Sequence, residues 1–228
     1  MTNYEAMLNR LKLYRKQNGL LQRQMAEKLH STQECYSYLE NGETKISYEN
    51  VMQLNDMGLS VNYLISGNEN IIETKDLDEV FQCICDVETR ELILKVVLEL
   101  IVLFLRKKEY ASDNKTEIDL LKKTLKYWDD FSMIQIVREQ LNVPQSVMAD
   151  KLHVSVKKYR ELEKQKRFPD AELIMILYDL SGYEPDLFVD SSDRKYMIAR
   201  KTWKLLKPDD AGKLIKIVKE LRDILDLQ

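Results

Sequence analysis

Residues 22–40 read QRQMAEKLHSTQECYSYLE, and residues 145–163 read QSVMADKLHVSVKKYRELE. Shifted by 123 positions, the phrases share nine of nineteen residues: Gln22/Gln145, Met25/Met148, Ala26/Ala149, Lys28/Lys151, Leu29/Leu152, His30/His153, Tyr36/Tyr159, Leu39/Leu162 and Glu40/Glu163. Unrelated sequences agree at about one position over such a span, so this is an internal repeat. Within each phrase a short apolar stripe (Met25, Ala26, Leu29) is followed by a polar turn and a second stripe (Tyr36, Leu39). Thr32 and Ser155 stand where a side-chain oxygen caps the first turn of the second helix. Two short helices joined by a tight turn, written twice, have the geometry of a paired reader of duplex DNA.

The pattern extends outward from the phrases. Leu8, Leu11 and Tyr14 give a helical stripe that stops at Asn18-Gly19, where glycine takes the positive φ that ends a helix. Asn41-Gly42 closes the third helix, Ser47 can cap a fourth holding Val51, Leu54 and Met57, and Ser60 opens a fifth that ends near Gly67. In the later copy Phe131, Ile134 and Val137 supply the first stripe, Ser155 caps the third helix, and Asp170 caps a fourth holding Leu173, Ile176, Leu177 and Leu180. A long apolar helix follows each copy, over 88–108 and over 209–227; shifted by 121 positions, Lys95, Val97, Glu99 and Leu100 meet Lys216, Val218, Glu220 and Leu221. Residues 110–115, with Ser112, Asp113 and Asn114, read as a hinge.

Only six Gly and four Pro interrupt 228 residues that are 44% hydrophobic and 32% charged, a composition that fits an ordered, mostly helical chain. The expected fold class is all-α: two five-helix domains, each followed by an apolar helix. The expected segments are 1–70 for a first helix-turn-helix domain, 71–128 for a helical linker or oligomerisation segment, 129–190 for a divergent second domain and 191–228 for a C-terminal helical segment.

A net charge of −3 excludes a general polyanion binder, since sequence-independent affinity for DNA comes from Lys and Arg. Charge is local instead. Residues 151–167 hold seven basic residues against Glu161 and Glu163, a net of +5, whereas 22–45 hold three basic against four acidic, a net of −1.

The first copy resembles the Cro and lambda-repressor class of helix-turn-helix regulators, the xenobiotic-response-element family, through Leu20, Gln22, Met25, Ala26, Leu29, Thr32, Tyr36, Leu39, Glu40, Asn41 and Gly42, and through residues 59–67, which are similar to that family's fifth helix. The resemblance implies a lambda-repressor-like fold whose third helix lies in the major groove, with phosphates held at the start of helix two and at the turn after helix three. Carried over residue by residue, Gln33, Glu34, Ser37 and Tyr38 would face bases, while Gln22, Asn41 and Lys45 would hold the backbone. In the later copy Val156, Lys157, Arg160 and Glu161 take the base-facing places, and Gln145 and Lys164 the backbone places. Gln33 suits adenine, Lys157 or Arg160 suits guanine, and Val156 suits a thymine methyl. The later copy departs from the family pattern at Pro144, which replaces a capping Ser or Thr, and at Lys164-Gln165, which replaces Asn-Gly.

Other features read more plainly. His30 and His153 sit in the turn between helices two and three, where an αL-tolerant residue is needed, and two histidines make no metal cluster. Cys35, Cys83 and Cys85, an odd number with no secretory leader after Met1, read as reduced thiols in a cytoplasmic protein; Cys83 and Cys85 are expected to be buried. Residues 92–105 are apolar at twelve of fourteen positions, interrupted by Lys95 and Glu99. Such a stretch is too short to span a bilayer and must be covered, as intradomain core under the helix over 214–225, as a subunit interface, or as both; its Leu94, Val97, Leu98, Ile101 and Leu105 are expected to form a homodimer interface. The basic residues Arg194, Lys195, Arg200, Lys201, Lys204 and Lys207 either add phosphate contacts or form a solvated helix.

No Gly-rich phosphate loop, nucleophile–base pair or metal-ligand spacing is present, so neither an enzyme nor a cofactor is expected. The expected function is a sequence-specific regulator that binds double-stranded DNA, with no membrane partner. The alternative is an antirepressor-like or antitoxin-like interaction module that keeps the fold and has lost base reading in one or both copies.

Overall fold

The computed structural model describes residues 3–69, 74–106, 115–129, 132–189 and 194–225. The expected hinge at 110–115, apart from Lys115, and the Phe131 stripe position lie outside the described residues. In chain order the helices are α1 (Asn3–Gln17), α2 (Gln22–Lys28), α3 (Gln33–Asn41), α4 (Tyr48–Asp56), α5 (Val61–Ser66), α6 (Lys75–Gln82), α7 (Val87–Leu105), α8 (Lys115–Lys126), α9 (Met133–Gln140), α10 (Gln145–Lys151), α11 (Val156–Glu163), α12 (Ala171–Ser181), a 3-10 turn (Pro185–Phe188), α13 (Arg194–Trp203) and α14 (Pro208–Leu225). No strand occurs among the described residues, and the chain is all-α.

These helices form two compact units, each drawn from two separated stretches of chain. The first unit holds α1–α5 together with α9–α12 and the 3-10 turn; the second holds α6–α8 together with α13 and α14.

In the first unit the capping signals act as the sequence implies. Thr32, Ser47, Ser60, Ser155 and Asp170 each accept a hydrogen bond from the backbone N–H three residues on, at 2.9–3.2 Å, and so start α3, α4, α5, α11 and α12. Met25, Ala26 and Leu29 on α2 and Tyr36 and Leu39 on α3 are buried, as are Met148, Ala149, Leu152, Tyr159 and Leu162 on α10 and α11. Ala26 and Ala149, each at most 1% exposed, are small enough for the second helix of each pair to cross close to the first. Each fully buried Leu or Met contributes about 1.5–3 kcal/mol relative to exposure.

The turns between those helices depend on a residue in the left-handed region. His30 has φ 47° and His153 φ 53°, and Ser31 and Val154 reach back to the carbonyls of Ala26 and Ala149 at 2.9 and 3.0 Å. After α3, Gly42 takes φ 79°; after α11, Gln165 takes φ 55° at the equivalent place. The hydrogen bonds that close this turn match: Glu43 to Tyr38 at 2.8 Å, and Lys166 to Glu161 at 2.9 Å. Replacement of Asn-Gly by Lys164-Gln165 therefore leaves the turn's shape intact.

The expected fifth helix of the later copy is instead the 3-10 turn. Ser60 caps α5 through its side chain, whereas Glu184, ahead of the 3-10 turn, makes no such bond.

In the second unit α7 packs against α8, α13 and α14, and α14 also meets α6. This corrects the expected dimer interface. Leu94 is 6% exposed and Val97, Leu98, Ile101 and Leu105 are fully buried, alongside the buried Leu214 and Val218 of α14. The chain covers this face with its own helices, so these five side chains are not available to a second copy.

The cysteine reading is also corrected. Cys83 and Cys85 are exposed and the intervening Ile84 is buried, because Cys83 ends α6 and the chain alternates as it leaves the helix. Two basic residues of α13 are engaged within the unit: Lys195 binds Glu91 at 3.1 Å and lies 4.1 Å from the Trp128 ring, and Arg200 donates to Thr74 at 2.8 Å. No helix among the described residues is long and apolar enough to cross a membrane.

Left-handed backbone costs an L side chain roughly 1–2 kcal/mol, partly offset in glycine by its greater unfolded-state entropy. His30→Gly and His153→Gly are each expected to stabilise the protein by about 0.5–1 kcal/mol, read as an upward shift of the urea midpoint.

Candidate nucleic-acid interface

α3 and α11 are each fixed from beneath by one buried carboxylate. Glu40, at the end of α3, is 4% exposed. It accepts from Arg15 Nε on α1 at 2.7 Å, from Arg15 Nη2 at 3.2 Å, from Gln22 Nε2 at the start of α2 at 2.7 Å, and from the Tyr36 hydroxyl at 3.2 Å. Three elements, α1, α2 and α3, are thereby held at a single side chain.

The same bracket recurs 123 residues later. Glu163 on α11 accepts from Arg138 Nε on α9 at 2.6 Å, from the Gln145 amide at the start of α10, and from the Tyr159 hydroxyl at 3.2 Å. Arg15 and Arg138 are themselves 123 positions apart. That register was the available signal for these two arginines, which lie outside the nineteen-residue phrase.

The electrostatics of the first bracket are coupled. Burial alone pushes the Glu40 carboxyl up, but hydrogen bonds from Arg15, Gln22 and Tyr36 and the Arg15 charge outweigh it and hold the group below the usual carboxylate range. Hydrogen bonding to Glu40 raises Arg15, while burial and the Glu40 charge push the Tyr36 phenol far above its ordinary value.

With the inner face locked, α3 turns Gln33, Glu34, Cys35 and Tyr38 outward, and Ser37 is half-buried. On α11 Lys157 and Arg160 are exposed, while Val156 and Glu161 are half-buried.

Residues 11–56 match the helix-turn-helix family model, which is a DNA-binding family. The match runs from the middle of α1 to the end of α4 and contains the whole Arg15–Gln22–Glu40 bracket. Comparison of the chain with curated proteins and with solved structures gave no match.

On the helix-turn-helix face of the first copy the expected contact residues divide. Gln33 and Asn41 are exposed, and the Tyr38 hydroxyl donates to Glu34 Oε1 at 3.0 Å, so these two groove-facing candidates are tied to each other. Gln22 is half-buried with one amide hydrogen on Glu40, so its first role is inside the fold. Lys45 forms an ion pair with Glu172 at the start of α12 and keeps most of its side chain exposed.

At the end of α10, on α11 and in the turn after it the exposed cations are Lys151, Lys157, Arg160, Lys164, Lys166 and Arg167. Arg160 Nε donates to Gln145 Oε1 at 3.2 Å, which links a candidate guanine reader to the bracket through Gln145. Arg167 lies 3.8 Å from Glu161, and Lys158 lies 3.9 Å from Asp170. Local spacing carries no signal for the Arg167–Glu161 and Lys158–Asp170 pairs, whose contact depends on how the turn after α11 folds back. Among the described residues no group of three His, Cys, Asp or Glu side chains is placed to hold a metal ion.

Removing the carboxylate leaves Arg15, Gln22 and Tyr36 without their shared acceptor in a buried place. Glu40→Ala is expected to cost about 3–5 kcal/mol in urea unfolding. Because Glu40 is depressed in the folded state, its contribution is complete above the ordinary carboxylate range and is lost as pH falls through it. Glu40→Gln should accordingly flatten the acid limb of a stability–pH curve; an unchanged limb would contradict this assignment.

Proposed function

We propose that this protein is a sequence-specific regulator that binds double-stranded DNA and catalyses no reaction. The first copy is a helix-turn-helix domain whose α3 enters the major groove, and α9–α12 form a second, divergent domain of the same kind whose α11 does likewise. The observation that carries this reading is the buried Glu bracket, found on both copies and holding the inner face of α3 and of α11 so that only their outer faces are free to meet a ligand. That construction presents a short helix rigidly on a small bundle, as groove reading requires.

Base contacts are assigned to Gln33, Glu34, Ser37 and Tyr38 on α3 and to Val156, Lys157, Arg160 and Glu161 on α11. Asn41 and Lys164, at equivalent places where the reading helices end, are assigned to phosphates. The +5 stretch at 151–167 supplies most of the attraction to the backbone, because the equivalent stretch of the first copy carries acidic residues in excess. In the first copy Glu34, which accepts from Tyr38, is suited to accept from a cytosine amino group and repels phosphate.

Affinity of the full chain for a duplex pool should fall steeply with added salt. Lys157→Glu combined with Arg160→Glu should lower it at least about 100-fold, while the same charge change at the exposed Lys216 and Lys219 of α14 leaves it within about threefold. Fluorescence anisotropy across a potassium chloride series measures both. A flat salt response, or equal losses from the two variants, would contradict the reading.

A further inference from the structure

We infer that the first unit is a single-chain counterpart of a two-fold dimer, so that one copy of this chain reads two unlike half-sites on one duplex. The inference rests on the proposed DNA reading and goes beyond it in stoichiometry and in the form of the target.

Residues 44–48 follow α3, and their equivalents at a shift of 123 are 167–171, which follow α11. These two turns abut: the Ala171 N–H donates to the Ile46 carbonyl at 3.1 Å, Lys45 pairs with Glu172, and the Tyr48 and Phe168 rings stack at 4.5 Å with planes 18° apart. A second self-match lies between α5 and the 3-10 turn, which occupies the fifth-helix position of the later copy. There Asn62, 8% exposed, donates to the Asp186 carboxylate at 3.0 Å and accepts from the Asp186 N–H at 3.0 Å.

When a segment packs on its own equivalent at two places, the two copies are related by an approximate two-fold rotation through both contacts, as in an isologous dimer. Here the two halves belong to one chain. Because α3 and α11 end just before the abutting turns, their C-terminal ends flank the axis, and the two helices approach a ligand in opposite senses about it. This is the relation that places two reading helices in successive major grooves on one side of a duplex, one helical turn apart.

The halves are not alike in chemistry. At equivalent places α3 carries Gln33, Glu34, Ser37 and Tyr38, whereas α11 carries Val156, Lys157, Arg160 and Glu161. Identical arms read a palindrome; these arms read different bases. The buried α7 face removes the interface expected to pair two chains, and the internal two-fold makes such pairing unnecessary.

The test is selection of duplexes containing 24 random base pairs by the full-length chain, followed by native mass spectrometry of the complex and binding to spacer variants. The expected target has two dissimilar half-sites centred 10–11 base pairs apart. The complex should hold one chain and one duplex, and insertion of five base pairs between the half-sites should weaken binding at least 100-fold. Gln33→Ala with Ser37→Ala should relax preference in one half only, and Lys157→Ala with Arg160→Ala in the other. A palindrome bound by two chains, or a single half-site indifferent to the insertion, overturns the inference and leaves DNA reading standing. Absence of any enriched sequence overturns both.

Discussion

The structure of the first unit depends on a carboxylate that is removed from water and answered on every side. Glu40 and Glu163 each gather an arginine from the first helix of the copy, a glutamine from the start of the second, and a tyrosine from within the third. A buried charge is tolerated only when its partners are in place, so the arrangement allows one relative position of the three helices and penalises others. The surrounding apolar side chains supply the bulk of the stability; the bracket supplies the orientation. Gln145 extends that control outward, since its carbonyl oxygen holds Arg160 on the exposed face of α11.

Much of this was legible in the sequence because it is local. The caps at Thr32, Ser47, Ser60, Ser155 and Asp170, the αL positions of His30 and His153, and the buried stripes of α2, α3, α10 and α11 all follow from short-range spacing and the conformational preferences of single residues. Leu8 and Leu11 on α1 are buried on the same grounds.

What the sequence did not disclose is set by contacts between distant positions. The apolar face of α7 read both as core under the 214–225 helix and as a subunit interface, because spacing alone does not choose between them; α8, α13 and α14 cover it, from up to about 120 residues away. The pairing of Lys45 with Glu172 joins positions 127 apart, which no local spacing signals. Lys195 and Arg200 of α13 likewise meet Glu91, Trp128 and Thr74, partners more than 60 positions earlier in the chain. Cys83 and Cys85 were assigned to the core by residue type, yet at the end of a helix the neighbour Ile84 takes the inward place.

If the brackets exist to present α3 and α11, the outward faces of those two helices are where a duplex must touch. Amide hydrogen exchange on the full chain, with and without the duplex pool it enriches, tests this most directly. The account predicts new protection in peptides covering both 33–41 and 156–164, with the second unit unchanged. Protection confined to the second unit, or absent from both reading helices while DNA is bound, would contradict it.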